Sequence, residues 1–284
     1  MNHAPSQPTE AELWAGPMGE RWQAHYQHFE GMIAPAGAAL LAAAAFGPGE
    51  RVIDVGCGAG DTSLQIARRV SPGGSVTGLD ISAALIATCR ERARAAGLGN
   101  AQFVVGDAAC AAVGGPPFDH MVSRFGVMFF DEPYAAFAHL HGFLKPGGRL
   151  DFICWAGPED NPWTLPIRTA AQRYTAAPPP VPRAPGPWAL QEPAYVRELL
   201  GRAGFGDVGI ELWRGEQYVG GPGADPAAAA AFVLESLGMA QALQEQPAGV
   251  REQARAFLEE AYRPYHGPDG VRAPAAAWLV RARA

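Results

Sequence analysis

Apolar and polar positions fall into blocks along this chain. Residues 51–55 (RVIDV) are a short β-branched run that stops at a glycine cluster, and residues 62–70 then place Leu64, Ile66, Ala67 and Val70 at helical spacing. The pattern predicts strand, tight turn and helix. A second strand is predicted over 75–79, ending at Asp80; Ser82 caps a helix through Ala96, with Leu85, Ile86, Cys89 and Ala93 on its inner face. Further strands are predicted at 101–105, 118–123 and 150–155. Between the last two lies a helix with Asp131 as its predicted N-cap and Pro133, Phe137, Leu140 and Leu144 at helical spacing, ended by the turn LKPGGRL at 144–150. Such alternation implies a doubly wound α/β fold with a parallel sheet.

After residue 155 the rhythm breaks. Residues 157–193 form a proline-rich insertion, followed by a helix at 194–203, a strand at 208–214, helices at 227–243 and 248–262, and a last strand at 276–282. Hydrophobic residues make up 48% of the 284 and charged residues 18%, enough for a large core, while 35 glycines and 26 prolines predict many loops. The net charge is −6 and Lys145 is the single lysine. That leaves no clustered cations for a nucleic-acid backbone, and Arg90, Arg92 and Arg94 read as the solvated face of a helix. The longest apolar stretch, 32–46, is interrupted by Pro35 and Gly37 and falls short of the ~18 residues of a membrane span. The N-terminus lacks the pattern of a secretory leader, so the expectation is a cytoplasmic protein with neither a membrane nor a nucleic-acid partner. Cys57, Cys89, Cys110 and Cys154 are too dispersed to hold a metal.

The chemistry concentrates at VIDVGCGAG, residues 52–60, with Asp80 after the next strand. Gly56, Gly58 and Gly60 remove side chains where a nucleotide must approach the backbone, and Asp80 is placed to accept both hydroxyls of a ribose. A dinucleotide fingerprint, GxGxxG, would need a third glycine where Asp61 stands; the pattern here is GxGxG. Together with GLDIS, VVGDA, FDHMVSRFGVMFF and LKPGGRLDFICW, it strongly resembles the seven-stranded, class I S-adenosylmethionine-dependent methyltransferases, and within them the bacterial small-molecule branch related to quinone biosynthesis.

That resemblance implies strand order 3-2-1-4-5-7-6 with the last strand antiparallel, and S-adenosylmethionine as cofactor. It implies that Gly56, Cys57 and Gly58 face the methionine end, with Asp54 helping to hold the amino group through water. It further implies that Asp80 takes the ribose, Ile81 lies against the adenine, and Asp107 and Ala108 contact the adenine edge, while Ser123 and Arg124 close the methionine side. Residues 1–48 are expected to form a helical lid over a domain at 49–284, with insertions at 156–193 and 215–271 on the active face. Trp22, Tyr26, Trp155, Trp163 and Tyr262 are the candidates to line a pocket for a small aromatic or apolar methyl acceptor. His25, His28 and His266 are the candidate bases, because His120, His139 and His141 fall at the wrong end of the strands. Two alternatives stand beside methyl transfer to an O, N or C nucleophile: a nicotinamide-dependent oxidoreductase, and a non-catalytic nucleotide-binding protein of the same fold.

Overall fold

The computed structural model describes residues 8–176, 181–237, 242–243 and 246–284. Five strands, β1 (Arg51–Val55), β2 (Ser75–Asp80), β3 (Ala101–Val105), β4 (Phe118–Arg124) and β5 (Leu144–Trp155), are parallel neighbours in the order β3-β2-β1-β4-β5. Beyond them lie β6 (Gly206–Tyr218), the two-residue β7 (His266–Gly267) and β8 (Gly270–Arg283). β8 runs antiparallel between β5 and β6, so the order ends β5-β8-β6, and β7 only pairs with β8. The implied seventh strand is therefore β8, and the order is as expected with one small strand added.

Helices α1 (Glu10–Ala15), α2 (Pro17–Ala24) and α3 (Tyr26–Ala44) precede the sheet; α4 (Asp61–Arg69), α5 (Ala83–Ala95) and α6 (Pro133–His141) connect its parallel strands. α7 (Leu165–Tyr174) and α8 (Pro193–Arg202) lie between β5 and β6, and α9 (Pro226–Ser236) and α10 (Ala248–Tyr262) between β6 and β7. α3 is more than a cover. It buries Phe29, Met32, Ile33, Ala36, Leu40 and Leu41 in the main core and packs on β5 and β6, continuing through Pro35.

Several boundaries differ from the sequence pattern. The predicted turn at 144–150 falls within the limits of β5 as a break in its ladder: Leu144 pairs with Phe118 and Arg149 with His120, residues 145–148 are left out of that pairing with Gly147 at φ +76°, and Gly147 N–H donates to the Ala284 carbonyl at 2.7 Å. β8 starts at Gly270 rather than 276 and carries Pro274. A proline is tolerated there because pairing with β5 ends at Ala277, leaving a ladder on the β6 side alone. Glu132, not Asp131, is the N-cap of α6, with no side-chain cap bond. The helix predicted at 227–243 is α9 and ends at Ser236; residues 238–241 of that prediction lie outside the described residues. Two of the supposedly solvated arginines bind backbone: Arg90 donates to the Phe103 carbonyl at 2.8 Å and Arg92 to that of Ala59 at 2.6 Å.

A buried polar network joins strands at the end of the sheet away from the glycine turn. His120 is 0% exposed; its Nδ1 lies 3.1 Å from Nη2 of Arg149, and its Nε2 lies 2.7 Å from Oδ2 of Asp151. A guanidinium can only donate, so Nδ1 accepts and the Nε2 proton is donated to Asp151. Arg149 also donates to Glu50, at 2.6 Å. His120→Ala strands the buried Asp151 carboxylate and opens a cavity, and is expected to destabilise the fold by about 3 kcal/mol. A chemical denaturation midpoint equal to that of the wild type would contradict this.

Candidate functional site

A cavity of about 570 Å³ runs across the carboxyl ends of β1 to β5, where ligands of open α/β sheets bind. Its floor is the turn after β1. The N–H groups of Gly56 and Cys57 both donate to the Leu79 carbonyl, at 2.8 and 3.2 Å, tying the turn to β2. The three glycines serve different ends. A Cβ on Gly56 (φ +67°) would meet Gly126 Cα at 2.8 Å, and one on Gly60 (φ +86°) would meet Cys89 Sγ at 2.9 Å; both positions are closed by the protein's own packing. Gly58 (φ +56°) alone opens onto free space, its nearest neighbour being Nε1 of Trp22 at 3.9 Å.

Asp80 ends β2 on the same floor and is 9% exposed. Gly58 N–H donates to its Oδ2 and Ser82 N–H to its Oδ1, both at 2.9 Å, which fixes the carboxylate and leaves acceptor capacity toward the cavity. Burial pushes its pKa up to about 6, against the pull of those two hydrogen bonds. Asp54 is also raised to about 6 by burial. Its Oδ2 accepts from Ser63 Oγ at 2.5 Å while Oδ1 is buried without a partner, and the residue sits behind the cavity wall. At the adenine-side end expected from the sequence, Ile81, Asp107 and Ala108 line the wall, and Asp107 accepts from Ala109 N–H at 2.8 Å.

The opposite end is aromatic. Phe125, with φ +61°, stacks on Trp155 at 4.2 Å between ring centroids, and Trp155 meets Trp163 at 5.5 Å. Trp163 is pinned from behind: its Nε1 donates to buried Asn161, and its carbonyl accepts from Tyr262 Oη at 3.3 Å. Arg124, at the end of β4, reaches the cavity between the two ends and donates to Glu30 of α3.

The structure thus gathers Gly56, Cys57, Gly58, Asp80, Ile81, Asp107, Ala108, Arg124, Trp22, Trp155 and Trp163 around one space. Other predicted residues lie elsewhere. Ser123 is buried and its hydroxyl donates to the Val55 carbonyl at 2.7 Å, cross-linking β4 to β1. Tyr262 supports Trp163 from outside the wall, and Tyr26 lies under the guanidinium of Arg92, 5.5 Å from the ring centroid. His25 faces His28, His28 turns toward Phe232, and His266 is exposed on β7; none reaches the cavity wall. Sequence reasoning missed Glu30, Phe125 and Met128, which do line it. Glu30 carries a readable signal: it stands three positions before Ile33 and seven before Gly37, a charge beside an otherwise apolar helix face.

Comparison with known proteins agrees with this geometry. Residues 52–148 match the family model described as a methyltransferase domain. The chain is 31% identical over 173 residues to the nocamycin O-methyltransferase of Saccharothrix syringae, covering 57% of this chain and 61% of that one. It is 32% identical over 115 residues to the demethylmenaquinone methyltransferase of Listeria welshimeri, covering 40% and 49% respectively. The chain therefore spans less than two thirds of the length of either relative. The structure of Haemonchus contortus phosphoethanolamine N-methyltransferase 2, solved with phosphomonomethylethanolamine and S-adenosylhomocysteine, superposes with a TM-score of 0.58 at 16% identity, covering 99% of this chain and 61% of that one. At that identity the likeness is one of fold. The match thus places a methyltransferase domain at residues 52–148, on a sheet whose strand order is the one that the resemblance to the class I S-adenosylmethionine-dependent methyltransferases implied.

Proposed function

We propose that this protein transfers the methyl group of S-adenosylmethionine to an O, N or C nucleophile of a small aromatic or apolar molecule. The observation that carries the reading is a single cavity with a glycine-and-carboxylate floor at one end and the Phe125–Trp155–Trp163 wall at the other. The residues present fit the cofactor. Gly58 leaves open space, Asp80 has free acceptor capacity, and Asp54 holds a buried Oδ1 that lacks a partner. Asp80 would take the ribose hydroxyls and Asp107 the adenine amino group; Asp54, set back from the wall, would act through a water.

Bound there, the cofactor supplies an electrophilic methyl group on a sulfonium. The chain's part is to orient the acceptor and exclude water, which is where much of the rate of such a displacement arises. None of the described histidines lines the cavity, so no histidine there is positioned as a base. The acidic Glu10, Glu30, Asp131 and Glu132 on the wall outweigh Arg124 and Arg168, which disfavours a phosphorylated acceptor. The two curated relatives are named for nocamycin and demethylmenaquinone, and an apolar acceptor of that general kind suits the wall. The nicotinamide alternative is not favoured: Asp61 opens α4 and pairs with Arg92 at 3.3 Å where a dinucleotide site needs glycine.

Calorimetric titration is expected to show binding of S-adenosylhomocysteine and none of NADH; the reverse would overturn the reading. Asp80→Ala is expected to lose about 1.5 to 3 kcal/mol of that binding energy. Gly58→Ala, strained by its positive φ but free of a clash, should weaken binding with only a modest fall in melting temperature, whereas Gly56→Ala, strained and also in collision with Gly126, should lower the melting temperature much further; equal effects on both readouts would contradict the division of labour in the turn. Affinity is expected to fall as the pH drops from about 7 to about 5, because the ionised Asp80 is the better acceptor and its pKa lies near 6. Over the same interval Asp54 and Asp80, raised in the fold above their ordinary values, contribute stability to the free protein as they protonate. Affinity that is flat with pH would exclude Asp80 from the contact. Finally, a panel of acceptors with labelled cofactor, read by mass spectrometry, should yield a methylated aromatic or apolar product; binding without transfer to any acceptor would favour the non-catalytic alternative.

A further inference from the structure

The polar groups left unengaged at the aromatic end of the cavity are donors. Thr164, the N-cap of α7, lines the wall together with Ile167 and Arg168, three and four positions on, so the start of α7 turns one face to the space. Arg168 makes no ion pair and no hydrogen bond among the described residues. The Thr164 hydroxyl donates to the Asn161 carbonyl at 2.8 Å, and Trp163 Nε1 donates to the Asn161 side chain at 3.1 Å. Trp155 differs. It is 6% exposed, yet its indole N–H has no acceptor among the described residues, and the atom keeps accessible surface where the residue lines the cavity. Trp188 is half-buried with an indole N–H in the same state, on a segment tied down by the bond from Gly186 N–H to the Met128 carbonyl at 3.0 Å.

The carboxylates of the wall lie toward the floor or are already paired. Glu10 stands beside Trp14 and Asp131. Trp14 packs on Trp22 with 5.4 Å between ring centroids, and Trp22 is the neighbour of Gly58. Asp131 and Glu132 are exposed, and Glu30 is paired with Arg124. Apolar rings with two unengaged indole N–H groups and one permanent cation complement an oxygen acid in its ionised form. The surplus of acid over the whole cavity still opposes a phosphate, which concentrates up to two charges in a compact group. A carboxylate or phenolate carries one, which Arg168 can face directly.

The geometry points to Arg168 and Trp155 as the residues that select the methyl acceptor, and to an aromatic carboxylate or phenolate as the class they select. Arg168 offsets the charge of the oxyanion, and the Trp155 N–H aims it while the rings of the wall hold the apolar body. This rests on the cofactor reading above and adds to it the charge state of the acceptor. An acceptor taken up as its anion has left its proton in water beforehand. Its oxygen carries the electron pair for the new O–C bond, the pair of the broken S–C bond stays with sulfur, and no proton remains for the wall to remove.

The test is calorimetric binding to the full chain saturated with S-adenosylhomocysteine, with melting temperatures recorded for every variant. The probes share one ring system: 2-naphthoate, a carboxylate; 4-nitro-1-naphtholate, a phenolate; 2-naphthamide, a neutral isostere; and 2-naphthylmethylammonium, a cation. Wild-type protein is expected to bind one of the two anions about ten-fold more tightly than the amide, and the cation most weakly; the tighter anion tells carboxylate from phenolate. Arg168→Gln is expected to weaken that anion by about ten-fold while sparing the amide and S-adenosylhomocysteine, and Arg168→Lys to restore part of the loss. Trp155→Phe, which keeps a ring and removes the N–H, should weaken anion and amide together, since both present an oxygen to it. Wild-type protein that binds anions and amide equally or the cation most tightly, or Arg168→Gln that changes every probe alike, would overturn the inference. Binding of S-adenosylhomocysteine with no binding of any probe would overturn it and leave the cofactor reading intact; no binding of S-adenosylhomocysteine would overturn the cofactor reading itself.

Discussion

The near-contact of two glycines, Gly56 after β1 and Gly126 after β4, sets the geometry on which the site depends. A single methyl group at Gly56 would collide with the Cα of Gly126, so both strands must end in glycine-containing turns for their ends to come this close. Ser123 reinforces the approach with its bond to the Val55 carbonyl. The consequence is a floor on which Gly58 and Asp80 face the cavity, with Phe125, one residue before Gly126, at the aromatic end. Phe125 is driven into the left-handed region by the same bend, which turns its ring onto Trp155.

Charge at the site is organised by burial rather than by salt bridges at the surface. Asp54 and Asp80 are both raised to about 6 because desolvation outweighs their hydrogen bonds, a cost carried by the free protein. Carboxylates held this way are under-solvated acceptors, suited to a polar ligand that replaces the missing water. At the other end of the sheet, the network of His120 with Arg149 and Asp151 brings its buried groups close to mutual satisfaction. The contrast separates a part of the molecule built for stability from a part built for binding.

What the sequence made legible was local. The GxGxG turn, Asp80 at the end of the next strand and Asp107 at the end of the third are each fixed by position within one strand-turn-helix unit, so spacing sufficed to find them. Contacts made across the fold were less accessible. Tyr262 and Trp163 were both read as lining residues, yet Tyr262 holds Trp163 from behind, a distinction set by how α10 packs. Residues 1–48 read as a lid, whereas α3 also packs into the core; Pro35 and Gly37 looked like interruptions, but the helix runs through both, and Gly37 makes room for Arg124. The limit of β8 at Pro274 differs for a related reason: whether such a residue stays extended is decided by the neighbouring strand, here β6.

The central claim is that one cavity holds the cofactor on the Gly58–Asp80 floor and directs its reactive end toward the aromatic wall. A crystal structure with S-adenosylhomocysteine tests it most directly. The account predicts the ribose hydroxyls on the Asp80 carboxylate, the adenine beside Asp107, and the thioether sulfur facing Phe125 and Trp155. A ligand bound elsewhere, or one bound in reverse with its adenine against Trp155, would contradict it.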